Sequence, residues 1–160
     1  MPVPSAHTLT LATIGYQGAT PETFRRALED ARIERLVDIR AVASSRRPGF
    51  SKSRLAAGVQ DVGMEYLHMR ALGTPADGRA AARAGRHGEM RRIFLEHMRS
   101  PDAQAALDDL EQIVSSGKRT CLLCFEADHQ HCHRDIVAGL LAAALPLQIV
   151  HLAPDTEQPD

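Results

Sequence analysis

Short runs of β-branched and apolar residues recur along the chain and predict strands. Each run is bounded by glycine, proline or polar residues, which commonly separate strands from turns. The run at 120–125 is almost continuously apolar, as expected of a central strand buried on both faces. The predicted strands are Thr8–Ile14, Leu36–Ile39, Glu65–Met69, Thr120–Phe125 and Gln148–Leu152.

Between these runs, apolar residues repeat at helical spacing. Thr20-Pro21 and Ser100-Pro101 each begin a helix, because proline at the first helical position lacks only an N–H that would have no partner. Other helices are predicted from about Ser53, through Met90 to Met98, and from about His133 to Leu145. The predicted inward-facing residues are Phe24, Ala27, Leu28, Ala31, Leu55, Val59, Val62, Met90, Ile93, Phe94, Met98, Leu107, Leu110, Ile113 and Val114.

The stretch Ala76 to Gly88 differs from the rest, because it consists largely of Ala, Arg and Gly without clear periodicity. It predicts a mobile loop without fixed secondary structure. Elsewhere, strand and helix alternate, which predicts one α/β domain with a mostly parallel sheet of about five strands covered by helices. The expected boundaries are an N-terminal extension at 1–7, the domain at 8–152 and a frayed acidic tail at 153–160.

This predicted topology indicates where function resides. Ligands of open α/β sheets bind beyond the carboxyl ends of the strands. The segments 15–18, 40–47 and 124–134 each follow a predicted strand. We therefore expect these three segments to converge at one edge of the sheet.

Composition narrows the classes of partner. The 160 residues are 44% hydrophobic and 24% charged, which is typical of a globular protein and excludes a disordered or fibrous class. A pI near 6.7 does not favour a broad nucleic-acid footprint. Five basic residues and no acid lie between Arg40 and Arg54, a patch that suits a phosphate or carboxylate. The longest apolar stretch, Ala138–Leu147, is shorter than the roughly 20 residues of a membrane span.

The three cysteines suggest a cellular compartment. Their odd number, with two of them close to histidines, indicates thiols or ligands rather than a disulfide framework. The sequence therefore predicts a reducing, cytoplasmic location.

The segment 124–134 holds the densest chemistry, and its candidate catalytic residues are Cys132, His133, Glu126 and Cys124. At a helix start, the positive end of the dipole and Arg134 would lower the pKa of the Cys132 thiol. His133 could act as a base or orient another group. The alternative is that Cys124 is a core residue and that the loop histidines are solvated.

Zinc is the second interpretation of this segment, and no cofactor is required by the sequence. No C-x2-4-C knuckle occurs among the candidate ligands, which makes zinc the minority interpretation. A cysteine phosphatase is also disfavoured, because the position that should hold its arginine is Ala138. The candidate metal ligands are Cys124, His129, His131, Cys132 and His133.

Candidate ligand-binding residues follow the other strands as well. The basic loop, Arg40 to Lys52, offers guanidinium and hydroxyl groups to an oxyanion. The same residues would also be expected in a charged loop that is only exposed to solvent. Arg40 and Arg46 are expected to point toward the segment Cys132-His133-Arg134. Glu126 is expected to pair with Arg134 or His133. The candidate ligand-binding residues are Arg40, Ser45, Arg46, Arg134 and Tyr16.

Several of these residues occur in motifs that resemble the domain of unknown function 488 family, from about Thr8 to His151. The motifs are Thr13-Ile14-Gly15-Tyr16, Val37-Asp38-Ile39-Arg40, Ser45-Arg46, Leu72-Gly73, and Cys124-Phe125-Glu126 through Cys132-His133-Arg134. The resemblance implies an α/β fold and supplies no established activity. The chain departs from the family pattern at Ala43, where proline is frequent, and at His97, where tyrosine is common.

These observations lead to two hypotheses of function. The first is a protein that binds or acts on a small anionic ligand, phosphate-, carboxylate- or nucleotide-like, at the C-terminal edge of the sheet, with Cys132 and His133 as reactive groups. The second is a non-catalytic metal-binding or nucleic-acid interaction module. The sequence predicts no membrane partner and does not indicate an oligomeric state.

Overall fold

The computed structural model of the protein describes residues 9–156. Five strands and six α-helices alternate in this range. The strands are β1 (Leu9–Gly15), β2 (Arg35–Asp38), β3 (Glu65–His68), β4 (Thr120–Cys124) and β5 (Leu147–Leu152). The helices are α1 (Pro21–Asp30), α2 (Lys52–Gln60), α3 (Ala76–Arg83), α4 (His87–His97), α5 (Pro101–Ser115) and α6 (His133–Ala144), with 3-10 turns at Arg70–Leu72 and His129–His131.

The strands form one parallel sheet in the order β3-β2-β4-β1-β5, which confirms the predicted α/β fold. One face packs against α1 and α2 through a core that includes Phe24, Leu28 and Leu55. The other face packs against α3 to α6 through a core that includes Phe94 and Leu110. Burial on both faces explains why β4 is apolar at every position.

The order of the strands creates a switch point between β1 and β4. The connection from β1 to β2 carries α1 across one face, whereas the connection from β4 to β5 carries α6 across the other. The two connections leave the adjacent strands β1 and β4 toward opposite faces of the sheet. A crevice therefore opens at the carboxyl ends of these two strands.

Two sequence expectations were wrong. Residues 76–88 hold all of α3 and the start of α4 rather than a mobile loop. Gly78 and Ala81 are the buried positions of α3, and such small residues give no strong apolar period. Val62 lies in the turn after α2 and is 44% exposed, because the chain has left the helix before reaching it.

The chain ends of this range are tied to the sheet. Thr156 forms an isolated antiparallel bridge with Ala19, in the turn after β1. The predicted extension at 1–7 and the last four residues of the predicted tail lie outside the described residues. None of the helices in the described range is long and apolar enough to cross a membrane.

Candidate functional site

A cavity of about 370 Å³ opens beyond the carboxyl ends of β1, β2 and β4. The strand ends and the start of α6 form its floor, and α3 with the start of α4 forms one wall. Its lining is Tyr16, Arg40, Ala41, Val42, Ser44, Thr74, Arg79, Ala82, Arg83, Met90, Cys124, Phe125, Glu126, His131, Cys132 and His133.

Arg40 lies at the end of β2 and is held by Asp38, which is completely buried. Its Nε and Nη2 donate to the two carboxylate oxygens of Asp38 at 2.9 and 2.7 Å. Nη1 donates to the carbonyl of Phe50 at 2.7 Å and to the hydroxyl of Tyr16 at 3.4 Å. Burial alone would lower the pKa of Arg40, but the bonds with Asp38 raise it above its usual range. Arg40 is therefore a fixed, neutralised part of the floor.

The rest of the basic loop contributes less than its sequence suggested. Ser45 and Arg46 are not among the residues that line the cavity. The backbone N–H of Ser45 donates to Ser51 Oγ at 2.9 Å, and its hydroxyl accepts from the N–H of Arg47 at 3.1 Å, so Ser45 shapes the loop. The neighbouring Ser44 lines the cavity instead.

Arg134 is completely buried in α6, and its guanidinium bonds to a threonine hydroxyl and to backbone carbonyls. Its Nε donates to Thr13 Oγ1 at 3.1 Å and its Nη2 to the carbonyl of Ala127 at 3.1 Å, while Nη1 contacts the carbonyl of Glu126. Burial lowers the pKa of Arg134. The guanidinium thus holds the segment after β4 against β1.

Gly15 makes this arrangement possible. A Cβ atom at this position would lie 1.8 Å from the carbonyl oxygen of Glu126 and 2.7 Å from Arg134 Nη1. Only a residue without a side chain lets the two loops approach so closely. The loops are further joined by the N–H of Gln17, which donates to the carbonyl of Phe125 at 2.8 Å.

Glu126 lines the cavity. The contact that Arg134 makes is with the backbone carbonyl of Glu126, and not with the carboxylate as the sequence suggested. Burial raises the pKa of Glu126, and its Oε2 lies 3.8 Å from Cys124 Sγ. A carboxyl group whose pKa is raised by burial in a cavity is a candidate for proton exchange.

The sulfurs of Cys124 and Cys132 lie in direct contact, while the Cα atoms of the two residues are 7.3 Å apart, further than the roughly 4.4–6.8 Å that a disulfide usually spans. The expectation of thiols at these positions stays a prediction. Cys132 is the N-cap residue of α6, and Cys124 ends β4 beside Arg134, whose Nη1 lies 3.4 Å from Cys124 Sγ. Both cysteines line the cavity. The remaining cysteine, Cys121, is completely buried in β4, and burial raises the pKa of its thiol.

His133 is buried at the start of α6. Burial lowers the pKa of His133 to about 4, so the imidazole is neutral at pH 7. Its Nε2 lies 2.8 Å from the carbonyl of Ile39, which can only accept, so Nε2 carries the proton. Nδ1 is then an acceptor, 3.7 Å from Cys132 Sγ.

The five candidate metal ligands do not form one set. Donor atoms of Cys124, Cys132 and His133 lie within 4.8 Å of one another. His131 stacks on His87 with ring centroids 3.9 Å apart, and His129 contacts other residues. The structure therefore does not favour a single metal site built from these five residues.

Two arginines of α3 were missed by the sequence analysis. Arg79 and Arg83 line the wall of the cavity, and Arg79 Nη1 donates to the carbonyl of Thr74 at 2.8 Å. Within residues 9–156, no acidic side chain pairs with either guanidinium. Their spacing of four places them on one helix face, a signal that becomes visible once 76–83 is recognised as helical.

The sheet and the cavity define a doubly wound α/β domain whose site lies at the topological switch point. Residues 20–141 match the sequence profile of the domain of unknown function DUF488. The chain therefore belongs to the DUF488 family. A search of curated proteins finds no significant match.

Proposed function

We propose that the chain binds a small anionic compound in this cavity and acts on it with the cysteine pair in its reduced form. The observation that carries the proposal is the position of Arg79 and Arg83, which share one cavity with Cys132 and His133. An anion held by the wall would be presented to the reactive groups of the floor.

Charge supports an anionic ligand. Arg40 is neutralised by Asp38, whereas Arg79 and Arg83 have no acidic partner within the described residues. Glu126 is the one carboxylate among the lining residues, so the two guanidinium groups outnumber it, and burial raises its pKa. The cavity is therefore positive, and guanidinium groups bind phosphate and carboxylate groups with paired hydrogen bonds.

Shape and polarity limit the size of the ligand. A volume of about 370 Å³ suits a small molecule, and it is too small for a folded partner. Val42, Met90 and Phe125 supply apolar surface beside the arginines. The ligand class that fits is a compound with one anionic group and a compact apolar or aromatic body.

Cysteine chemistry requires the pair to be reduced. A dithiol reductant would supply two electrons and two protons, becoming a disulfide itself and leaving thiols at Cys124 and Cys132. The amino-terminal end of α6 favours the thiolate of Cys132, which would act as the nucleophile. Glu126 would exchange the proton, and a reducing compartment such as the cytoplasm would keep the pair active.

Anion binding can be tested with inorganic phosphate and a panel of aromatic phosphates and carboxylates, measured by calorimetry. Arg79→Gln and Arg83→Gln should each weaken binding about tenfold or more, because a hydrogen bond to a charged group contributes roughly 1.5–3 kcal/mol. Arg91→Gln is the matched control, since Arg91 is exposed on α4 and outside the cavity. Equal affinity in all three variants would show that the wall does not bind the anion.

A further inference from the structure

A second cluster of metal-ligating side chains lies outside the cavity, where the 3-10 turn His129–His131, the start of α6 and β5 meet. It consists of His129, Asp135 and His151, whose donor atoms all lie within 4.8 Å of one another. We propose that these three residues bind one divalent metal ion of the zinc type. The proposal does not depend on the proposed function of the cavity.

The distances fit a tetrahedral ion. His129 Nδ1 lies 3.2 Å and His151 Nε2 lies 3.6 Å from the same carboxylate oxygen, Oδ1 of Asp135. Ligand atoms at about 2.1 Å from zinc in a tetrahedron are roughly 3.4 Å apart. The three side chains are between 26% and 37% exposed, so an ion can enter and a water molecule can complete the coordination.

The surroundings of His151 prepare it as a ligand. Its Nδ1 lies 2.6 Å from the hydroxyl of Thr13, which can accept the Nδ1 proton and so leave the lone pair on Nε2. Metal-bound histidines commonly have their second ring nitrogen held in this way. Thr13 also accepts from Arg134, so the hydroxyl is fixed from the other side.

Electrostatics favour a metal ion over a second proton at this cluster. The rings of His129 and His151 stack with centroids 3.5 Å apart and an interplanar angle of 3°. Two imidazolium ions at this distance would repel each other. Because a metal binds an imidazole nitrogen in the plane of the ring, one of the two stacked rings must turn to bring its nitrogen to a shared ion. Two imidazoles with one carboxylate are ligands that zinc accepts.

Binding here would fasten the segment that carries Cys132. His129 lies three residues before Cys132, Asp135 lies three residues after it, and His151 lies on β5, so one ion would join the segment to the sheet. The ion would therefore act as a clamp on the loop between β4 and α6, at a site separate from the cavity.

The test is a titration of the full chain, stripped with a chelator and kept oxidised so that the cysteine pair does not compete. Co²⁺ and Zn²⁺ are added, and Co²⁺ binding is followed by its visible absorption. We expect one equivalent of Co²⁺, displaced by Zn²⁺. Absence of binding by both ions overturns the proposal.

Variants locate the ion. Asp135→Asn and His151→Gln should each weaken Co²⁺ binding by at least about 100-fold, more than the loss of a partner outside the coordination shell causes. His131→Gln is the matched control, because His131 belongs to the same turn but is not in the cluster, and it should bind as the parent does. If His151→Gln does not fold, His129→Gln replaces it. Unchanged affinity in the ligand variants, or loss only in Cys124→Ser/Cys132→Ser, overturns the proposal.

Discussion

Gly15 shows how a single residue without a side chain determines the position of a functional loop. The close contact of its Cα with the carbonyl of Glu126 allows Arg134 to bond the segment after β4. The motif was visible in the sequence, but its reason was not, because the neighbour that requires glycine lies more than one hundred residues further along the chain.

We expect Gly15→Ala to destabilise the fold by roughly 1–3 kcal/mol, the usual cost of forcing an extra group into a packed region. Gly139→Ala is the control, since a Cβ atom at Gly139 in α6 meets nothing within 4 Å. That control should be neutral or stabilising by up to about 1 kcal/mol, as for most glycines replaced in a helix. Urea denaturation measures both, and a stable Gly15→Ala variant would contradict the packing argument.

The buried His133 predicts a pH dependence of stability. The unfolded chain binds a proton on this residue near its ordinary pKa of 6.5, whereas the folded chain does so only at about 4. Between these two pH values the unfolded state binds more protons than the folded state. The contribution of His133 to the free energy of unfolding is therefore fully present above pH 6.5 and is lost as the pH falls toward 4. The loss is at most about 3 kcal/mol.

The measurement is the free energy of unfolding at pH 7, 6, 5 and 4 for the parent and for His133→Gln. Glutamine can still donate to the carbonyl of Ile39 but does not titrate. The contribution of other titrating groups cancels in the difference between the two proteins. Parallel curves for the two proteins across this range would show that His133 does not titrate as its burial requires.

At the scale of elements, α3 is the helix that the sequence did not predict, and it forms one wall of the cavity. Strand runs and capped helices were predicted within a few residues because β-branched residues and Thr-Pro or Ser-Pro pairs are strong local signals. The face of α3 that packs inward is made of Gly78 and Ala81, and the apolar period was too weak to detect. The arginines on the helix were overlooked for the same reason.

Gly78 lets α3 pack closely against Thr74 and Ile93. Its replacement tests whether the position of α3 affects phosphate binding. A Cβ atom there would lie 2.5 Å from the Thr74 methyl and 3.2 Å from Ile93 Cγ2. We expect Gly78→Ala to shift α3 and to weaken phosphate binding several-fold, without the gain of up to about 1 kcal/mol that alanine usually gives in a helix. Gly88→Ala in α4, where a Cβ meets nothing within 4 Å, should leave binding unchanged. Equal phosphate affinity in both variants would show that the position of α3 does not affect phosphate binding.

At the scale of the whole molecule, topology predicted the place of the site better than composition predicted its residues. The convergence of the segments after β1, β2 and β4 follows from the parallel sheet alone. The roles of Ser45, Arg46 and Arg134 did not follow, because the direction of a side chain depends on loop conformation.

The division of the cavity between α3 and the strand ends has an evolutionary consequence. Cys124, Cys132 and His133 of the floor are buried, and Arg134 holds the segment after β4, so few substitutions are tolerated there. Arg83 of α3 is exposed, and the buried residues of the helix are Gly78 and Ala81, with Ala82 packed partly against the core. Residues 79 and 83 can therefore diverge while the fold and the floor stay constant. Under the proposed function, exchanging α3 between members of the family should exchange the preferred ligand and preserve the chemistry of the floor.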